Sequence, residues 1–244
     1  MKTLVALTLA ATAAGSIAHA ASQSSFTGTY AFSFSTTPGQ ELFFTFTPTD
    51  TPFDQAIGAA SGMATALSNV SPNSGVTSGI SPVGAIGDGE VTGLSTATDG
   101  FGEANADITG LIAFENLGNQ VENVLLTANY ALTVGAASTP QPGDLAQASL
   151  LFEIFDQAGN NVFSDGVGAF ADETTDVETR ATNGAPQFTF QVLPGTTVAY
   201  SFVLDGDSSA TATGDVPPPI PLPAGMTLLL PALGALAWFR RRAA

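Results

Sequence analysis

Carboxylates are the only abundant side chains in this sequence that could perform chemistry. The 244 residues contain 21 Asp and Glu, five Lys and Arg, one His and no Cys. Between residues 21 and 219, Arg180 is the single positive charge against all 21 negative charges, a net charge of −20. Because this stretch lacks His, Cys and Lys, it lacks the usual general base at neutral pH and the good ligands for zinc, copper and haem.

Paired carboxylates can hydrolyse a glycosidic bond without His or Cys, so a glycosidase is the enzyme that this composition permits. With so many acids, some pair falls at the required separation by chance. The single tryptophan is Trp238, near the C-terminus, so residues 21–219 lack the residue that sugar-binding clefts most often use for stacking. We therefore predict a protein that is not an enzyme and whose acids are solvated surface groups. A polysaccharide-binding or carboxylate-based hydrolytic module, with or without calcium, stays the alternative.

Calcium is the one metal that the acids suggest. In Asp205-Gly206-Asp207-Ser208-Ser209, oxygen ligands alternate in what the sequence predicts to be a flexible loop, so Asp205 and Asp207 are candidate ligands. Asp88-Gly89-Glu90 and Asp172-Glu173 offer similar chances. The competing interpretation, ordinary Asp-Gly turns at strand ends, is favoured because no segment completes a twelve-residue calcium loop. No other cofactor is predicted.

The negative charge also limits the partners. A surface of this sign repels nucleic-acid phosphates and anionic lipid headgroups, so we expect no nucleic-acid partner. Arg180 is either a clamp for a ligand or the ion-pair partner of Asp176 or Glu178. The second interpretation is favoured because acids are abundant around it.

The elements that carry these residues are predicted to be strands. Several segments of residues 21–214 alternate apolar and polar residues, which predicts an all-β antiparallel β-sandwich or jelly roll. Three strand pairs are expected to form hairpins, namely residues 26–34 with 42–47, residues 146–155 with 162–163 through 156–161, and residues 187–193 with 197–204. Pro194-Gly195 suits the centre of a type II turn in the last pair.

Residues 54–102 are rich in Gly, Ser and Thr and have a weaker pattern. A short helix is predicted from Gln55 to Leu67, although Gly58 and Gly62 weaken it. One or two strands with loops are predicted for the rest of this segment.

The first 20 residues are typical of a signal peptide that is cleaved. Lys2 supplies a positive charge, residues 4–17 are apolar, and Ala18 and Ala20 are small. Small residues at these two positions fit the pockets of signal peptidase, so cleavage is expected after Ala20, or after Ala21 one residue on. A transmembrane anchor is disfavoured because the apolar run is short and no polar stop-transfer pattern follows it.

The last 30 residues differ in character from everything before them. Residues 215–225 form a Pro-rich spacer, residues 226–239 an uncharged apolar run that predicts a hydrophobic helix, and residues 240–244 a basic tail. The helix would span roughly 21 Å, or about 26 Å if it extends back to Pro223, which is just short of the ~30 Å of a hydrocarbon core. Pro231 weakens it further. The segment is therefore expected to be a temporary anchor; a permanent single-span anchor is the alternative. Its functional residues are the motif Ile220-Pro221-Leu222-Pro223-Ala224-Gly225 and the stop-transfer residues Arg240, Arg241 and Arg242.

This order of motif, apolar helix and Arg-rich end resembles the PEP-CTERM class of bacterial sorting signals, in its VPLPA variant, with Ile220 in place of the family's Val. The resemblance covers only residues 220–244. It implies export and transient retention in the inner membrane with residues 21–214 outside the cytoplasm. It also implies processing by an exosortase-type protease and association with the cell surface or an exopolysaccharide matrix. We therefore expect an exported cell-surface or extracellular-matrix protein with a structural or adhesive role.

Overall fold

A computed structural model describes residues 22–36, 42–58, 64–72, 77–80, 83–139 and 141–213. These residues form twelve strands and confirm the predicted all-β class. The strands are β1 (Ser22–Thr36), β2 (Leu42–Gly58), β3 (Ala64–Pro72), β4 (Thr77–Ile80), β5 (Val83–Ala97), β6 (Gly100–Asn116), β7 (Glu122–Ser138), β8 (Leu145–Phe155), β9 (Asn161–Ala171), β10 (Val177–Gly184), β11 (Gln187–Val192) and β12 (Thr197–Ala212).

The strands form two antiparallel sheets of six strands each, consistent with a sandwich. Sheet A has the order β10-β7-β1-β5-β3, and β11 also pairs with β7. Sheet B has the order β4-β2-β6-β12-β8-β9. Most neighbours in the sheets are distant in the sequence, so the topology contains many crossovers between the two layers.

One apolar core is shared by both sheets. Along β1, alternate side chains are buried, as the period-two pattern of its sequence requires. Phe32 of sheet A contacts Phe202 and Phe152 of sheet B, with ring centroids 4.8 Å and 6.2 Å apart. All three rings are almost fully buried. The apolar alternation of the sequence is thus explained by burial of one face of each sheet against the other.

Large rings in this core lie over glycines of the neighbouring strand. Phe26 of β1 is opposite Gly93 of β5, and Tyr30 is opposite Gly89. A Cβ atom on Gly89 would lie 2.6 Å from the Tyr30 hydroxyl, and one on Gly93 would overlap the Phe26 ring. Glycine inside these strands therefore makes room for an aromatic side chain of the core.

At one end of the two sheets the core is built from small residues. Ser24 Oγ of β1 donates to the Ser209 carbonyl of β12 at 2.8 Å, and Ser95 Oγ of β5 donates to the Ser208 carbonyl at 3.0 Å. Both serines are buried. Side chains this short let the backbones of the two sheets approach closely enough to be joined by hydrogen bonds.

Two of the three predicted hairpins are wrong. Strand β1 pairs with β5 and β7 in sheet A, whereas β2 pairs with β4 and β6 in sheet B. Their aromatic residues meet across the core instead, with the rings of Phe34 and Phe44 5.1 Å apart. In the same way β11 belongs to sheet A and β12 to sheet B, and Phe190 packs on Tyr200 at 5.1 Å. Alternation identifies a buried face but does not identify the partner strand.

The turns that were predicted are confirmed. The Thr196 amide donates to the Leu193 carbonyl at 3.0 Å, and Gly195 has a φ of +71°, as the third position of a type II turn requires. The hairpin of β8 and β9 is also confirmed. Its turn contains Gly159 at a φ of +82°, and the Asp156 carboxylate accepts hydrogen bonds from the backbone of Ala158 and Asn160.

The predicted helix from Gln55 to Leu67 is wrong. Strand β2 continues to Gly58 and β3 begins at Ala64, while residues 59–63 lie outside the described ranges. Gln55 is paired with Glu103 in the ladder between β2 and β6. Ala64 to Leu67 pair instead with β5. The ladder hydrogen bonds to these two long strands outweigh a helix propensity already reduced by Gly58. The rest of the Gly/Ser/Thr-rich segment contains β4, β5 and the start of β6, more strand than was predicted.

The features predicted for the two ends of the chain are at positions that the structure does not describe. The signal peptide (residues 1–20, with Ala18 and Ala20), the spacer with its sorting motif (215–225), the hydrophobic helix (226–239) and the basic tail (240–244) all lie outside the described residues. Within the described ranges, no helix is long and apolar enough to cross a membrane.

Candidate functional site

Asp205 and Asp207, the predicted calcium ligands, lie within β12 and not in a loop. Both side chains point outward on sheet B, because the residues on either side of them are buried. Asp205 is directly opposite Asp107 of β6 in the ladder, and Asp207 is opposite Asn105. The strand pairing thus brings three carboxylates to one patch of the outer face, a proximity that spacing along the chain did not reveal.

Each of these carboxylates makes the charged form of its neighbour less favourable. Partial burial, together with the charge of Asp107, raises the pKa of the Asp205 carboxyl. Partial burial and the charges of Glu103 and Asp205 raise the pKa of Asp207. Like charges directly opposite each other in a sheet are unfavourable. In the part of the chain that the structure describes, no three His, Cys, Asp or Glu side chains are grouped closely enough to hold a metal ion.

The other two acidic pairs have different positions. Asp88 and Glu90 lie on β5, within a strand. Asp172 begins the turn between β9 and β10, where its Oδ1 accepts hydrogen bonds from the amides of Thr174 and Thr175 at 2.8 and 2.9 Å. The hydrogen bond from the Thr174 hydroxyl, followed by those from the two amides, lowers the pKa of Asp172. Asp172 thus stabilises its own turn, as predicted by the interpretation of these acids as turn residues at strand ends and not calcium ligands.

Arg180 forms an ion pair with Glu178, as the favoured interpretation of its role predicted. Arg180 Nη2 lies 2.6 Å from Glu178 Oε1, and its Nε donates to the same oxygen at 2.8 Å. The second oxygen of Glu178 accepts the backbone N–H of Phe170 at 2.7 Å. Glu178 of sheet A therefore binds the edge strand of sheet B, and these two contacts lower the pKa of its carboxyl.

A groove of about 350 Å³ lies beside this ion pair on the outer face of sheet B. We call it the Arg180 groove. It is lined by residues of four strands, Gln147, Ala148 and Ser149 of β8, Gly168, Ala169 and Phe170 of β9, Glu178 and Arg180 of β10, and Asp207 of β12. It combines the one cation of residues 21–219 with carboxylate, amide and hydroxyl groups and an exposed aromatic ring.

Sequence reasoning missed this groove. Its residues are far apart in the chain, and of the two interpretations of Arg180 the ion pair was favoured over the ligand clamp. One local signal exists in the stretch 164–170, SDGVGAF, where the outward positions of β9 after Ser164 are Gly166, Gly168 and Phe170. Two adjacent outward residues without side chains, followed by an exposed phenyl ring, give a flat surface with an apolar end.

A second polar cluster connects the two sheets from the inside. The Tyr130 hydroxyl of β7 donates a hydrogen bond to Asp165 Oδ2 of β9, and the Thr182 hydroxyl of β10 donates to the same oxygen at 2.9 Å. Hydrogen bonding to Tyr130 is the main cause that lowers the pKa of Asp165. Burial, reinforced by Asp165, raises the pKa of Tyr130 to about 12. At neutral pH the pair is thus a neutral phenol and a carboxylate.

Two buried polar residues lie near the loop between β6 and β7. Asn116 Nδ2 donates to the carbonyls of Gln120 and Val192 at 2.7 and 2.8 Å, and its Oδ1 accepts the Gly118 amide. Glu122 is fully buried, and neither oxygen of its carboxyl has a hydrogen-bond partner. Burial raises the pKa of Glu122. Asn116 therefore joins the loop after β6 to the end of β11, whereas the buried carboxyl of Glu122 lowers the stability of the folded state.

Comparisons with known proteins add little to this geometry. No protein-family model and no curated protein matches the sequence. Among solved structures, a calcium binding mutant of Bacteroides uniformis beta-glucuronidase 2 is 11% identical over 68% of this chain and 22% of its own, with a TM-score of 0.15. A putative beta-galactosidase from Bacteroides fragilis is 13% identical over 67% of this chain and 27% of its own, with a TM-score of 0.11. The chain thus spans about a quarter of the solved structures that it matches.

Proposed function

We propose that this protein is an exported β-sandwich that acts, without catalysis, as a structural or adhesive component of the cell surface or extracellular matrix. The observation that supports a structural role is the pair of carboxylates that tie sheet A to sheet B. Asp165 binds Tyr130 and Thr182, and Glu178 binds Phe170. A chain without cysteine has no disulfides to hold it together outside the cell, and these contacts stabilise it by other means.

Delivery is proposed from the two ends of the sequence. Signal peptidase would cut after Ala20, and Arg240 to Arg242 would retain the tail at the inner membrane. An exosortase-type protease would then cut the chain within Ile220–Gly225 and release the part before the cut, which contains residues 21–214, to the surface. The experiment is fractionation of the native host with mass spectrometry of the mature chain. We expect a surface or matrix fraction without peptides beyond the motif; an intact peptide containing Trp238 in that fraction would contradict the proposal.

Polysaccharide binding is the second candidate, and the Arg180 groove favours it. Hydrolysis is the weaker form of this candidate, because Glu178 already bonds to Arg180 and to the Phe170 amide. A pull-down of the full chain on insoluble polysaccharides, with reducing sugar measured in the supernatant, distinguishes the two forms. We expect retention of the protein on the polymer without sugar release. Sugar release that is lost in Glu178→Gln or Asp207→Asn would instead show an enzyme.

A further inference from the structure

We infer that the Arg180 groove binds a short segment of a neutral polysaccharide. The inference rests on the second candidate function proposed above, and it names the site and the chemical class of the ligand. It follows from the shape of the groove, its hydrogen-bonding groups and its charge.

The shape suits a sugar ring. Gly168 contributes no side chain, and the flanking outward residue is Phe170, whose side chain is 45% exposed. A phenyl ring that remains this exposed costs free energy in water, and the apolar C–H face of a pyranose ring can cover it. The volume of about 350 Å³ is near the lower end of the roughly 300–1,000 Å³ typical of small-molecule sites. The groove therefore accommodates a short segment of a polymer and not a long one.

The hydrogen-bonding groups suit hydroxyls. A guanidinium has five N–H donors, and Arg180 uses its Nε and Nη2 on Glu178. Because Glu178 fixes the plane of the guanidinium, its remaining donors are already oriented before a ligand arrives. The side chains of Gln147 and Ser149 line the same groove, on the outward side of β8. Sugar hydroxyls both donate and accept, so they match amide, hydroxyl and carboxylate groups together.

The charge favours a neutral ligand. The positive charge of Arg180 is balanced by Glu178, and Asp207 adds a negative charge to the lining. The surrounding residues 21–219 carry a net charge of −20. An anionic polymer such as a polyuronate would be repelled over the whole approach, whereas a neutral polysaccharide would not.

Gly168 provides a sharp test. A Cβ atom there would lie 3.7 Å from the Ala148 carbonyl oxygen, an ordinary contact, and a β-branched residue suits a strand. Gly168→Val therefore fills the floor of the groove without straining the fold. Ser164→Val is the matched control, because Ser164 is an outward residue of the same strand that does not line the groove. Phe170→Ala removes the ring, and the melting temperature of each variant confirms that it folds.

The measurement is native affinity electrophoresis of the full chain in gels that contain a soluble β-1,4-glucan, a galactomannan, dextran or polygalacturonate. We expect at least one neutral polymer to retard the protein, with little effect of added salt. Gly168→Val and Phe170→Ala should weaken this retardation about tenfold or more, and Ser164→Val should not.

The outcomes separate the inference from the function on which it rests. Retardation by a neutral polymer that survives in Gly168→Val would support polysaccharide binding and overturn the groove as its site. Retardation by polygalacturonate alone would overturn the neutral class. No retardation by any of the four polymers would overturn both the inference and the polysaccharide-binding candidate. The proposed role at the cell surface would not be affected, because the fractionation experiment tests it separately.

Discussion

The Tyr130 hydroxyl of sheet A donates a hydrogen bond to the Asp165 carboxylate of sheet B. Thr182 donates to the same oxygen, so one carboxylate joins residues of three strands, β7, β9 and β10. Asp165 also accepts the amide of Gly166 at 2.9 Å. This cluster lies beside the aromatic core, where the Tyr130 ring packs on Phe152 with centroids 5.2 Å apart.

Asp165→Ala should destabilise the protein by about 2–3 kcal/mol, because it leaves two hydroxyls without their acceptor, one of them on the buried Tyr130. Tyr130→Phe should cost only about 1 kcal/mol, since it removes a donor and leaves Thr182 bound to Asp165. Thermal melting measures both changes. Equal midpoints for wild type and Asp165→Ala would show that this cluster does not hold the sheets together.

Asn116→Ala should be among the most damaging single substitutions, with a loss of about 2–4 kcal/mol. The side chain is fully buried and satisfies two carbonyls and one amide. Asn123→Ala is the control, because Asn123 is exposed and accepts only one hydrogen bond, from Gln191. Urea unfolding of the two variants tests this contrast, and similar midpoints would mean that the Asn116 hydrogen bonds are weak.

Glu122→Gln should stabilise the protein at pH 7 to 8 and change little at pH 4. The pKa of Glu122 is raised in the folded state, so the folded state retains a proton that the unfolded chain releases once the pH exceeds the ordinary value. Stability therefore decreases as the pH rises above that value, and a neutral amide removes this loss. Melting temperatures across pH 4 to 8 test it. Glu173→Gln is the control, because it removes the same charge from an exposed turn.

The whole protein should show opposing pH effects for the same reason. The pKa values of Asp107, Asp205 and Asp207 are also raised in the folded state. These three groups therefore lower the stability of the fold as the pH rises through and above the ordinary range of a carboxyl. The lowered pKa values of Asp165 and Glu178 stabilise it above that range, and this contribution is lost as the pH falls through their folded values. In Asp165→Ala, the melting temperature should therefore decrease less steeply as the pH falls below the ordinary range of a carboxyl.

Asp205→Asn should raise the melting temperature in calcium-free buffer by removing the repulsion between opposite carboxylates on β6 and β12. Glu115→Gln is the control, because it also removes one negative charge from β6 or β12 but at an exposed position opposite Thr197 and not opposite an acid. The same melts with calcium and with a chelator test the calcium prediction. A calcium-dependent rise that disappears in Asp205→Asn would support it, and identical midpoints for wild type would contradict it.

Much of the local structure could be predicted from the sequence, because burial of one face of a strand leaves a period-two pattern. Phe32 and Phe34 in β1 and Leu126 to Val134 in β7 show this pattern clearly, as does the Pro194-Gly195 turn. Pairing could not be predicted, because β1 and β2 have equally apolar faces whether they are adjacent in one sheet or opposed across the core. The helix prediction for Gln55 to Leu67 is wrong because pairing with long strands, β6 for Gln55 to Gly58 and β5 for Ala64 to Leu67, outweighs local propensity.

The candidate site was predictable only in part. The ion pair of Arg180 and Glu178 follows from their spacing of two residues on one face of a strand. The Arg180 groove and the opposition of Asp107 and Asp205 depend on registers between distant strands, which no local pattern records. The buried Glu122 looked like any other acid in an acidic chain, because its cost arises from surroundings that exist only after folding.

The hydrogen bond from Phe170 to Glu178 has a consequence for crowded surroundings. Strand β9 is at the edge of sheet B, where a bare backbone amide invites a strand from another molecule. The Glu178 carboxylate occupies the amide of Phe170, and Asp165 occupies that of Gly166. Copies held side by side at high local concentration would thus meet a strand edge whose donors are partly taken, and they would remain separate folded units instead of merging into a continuous sheet.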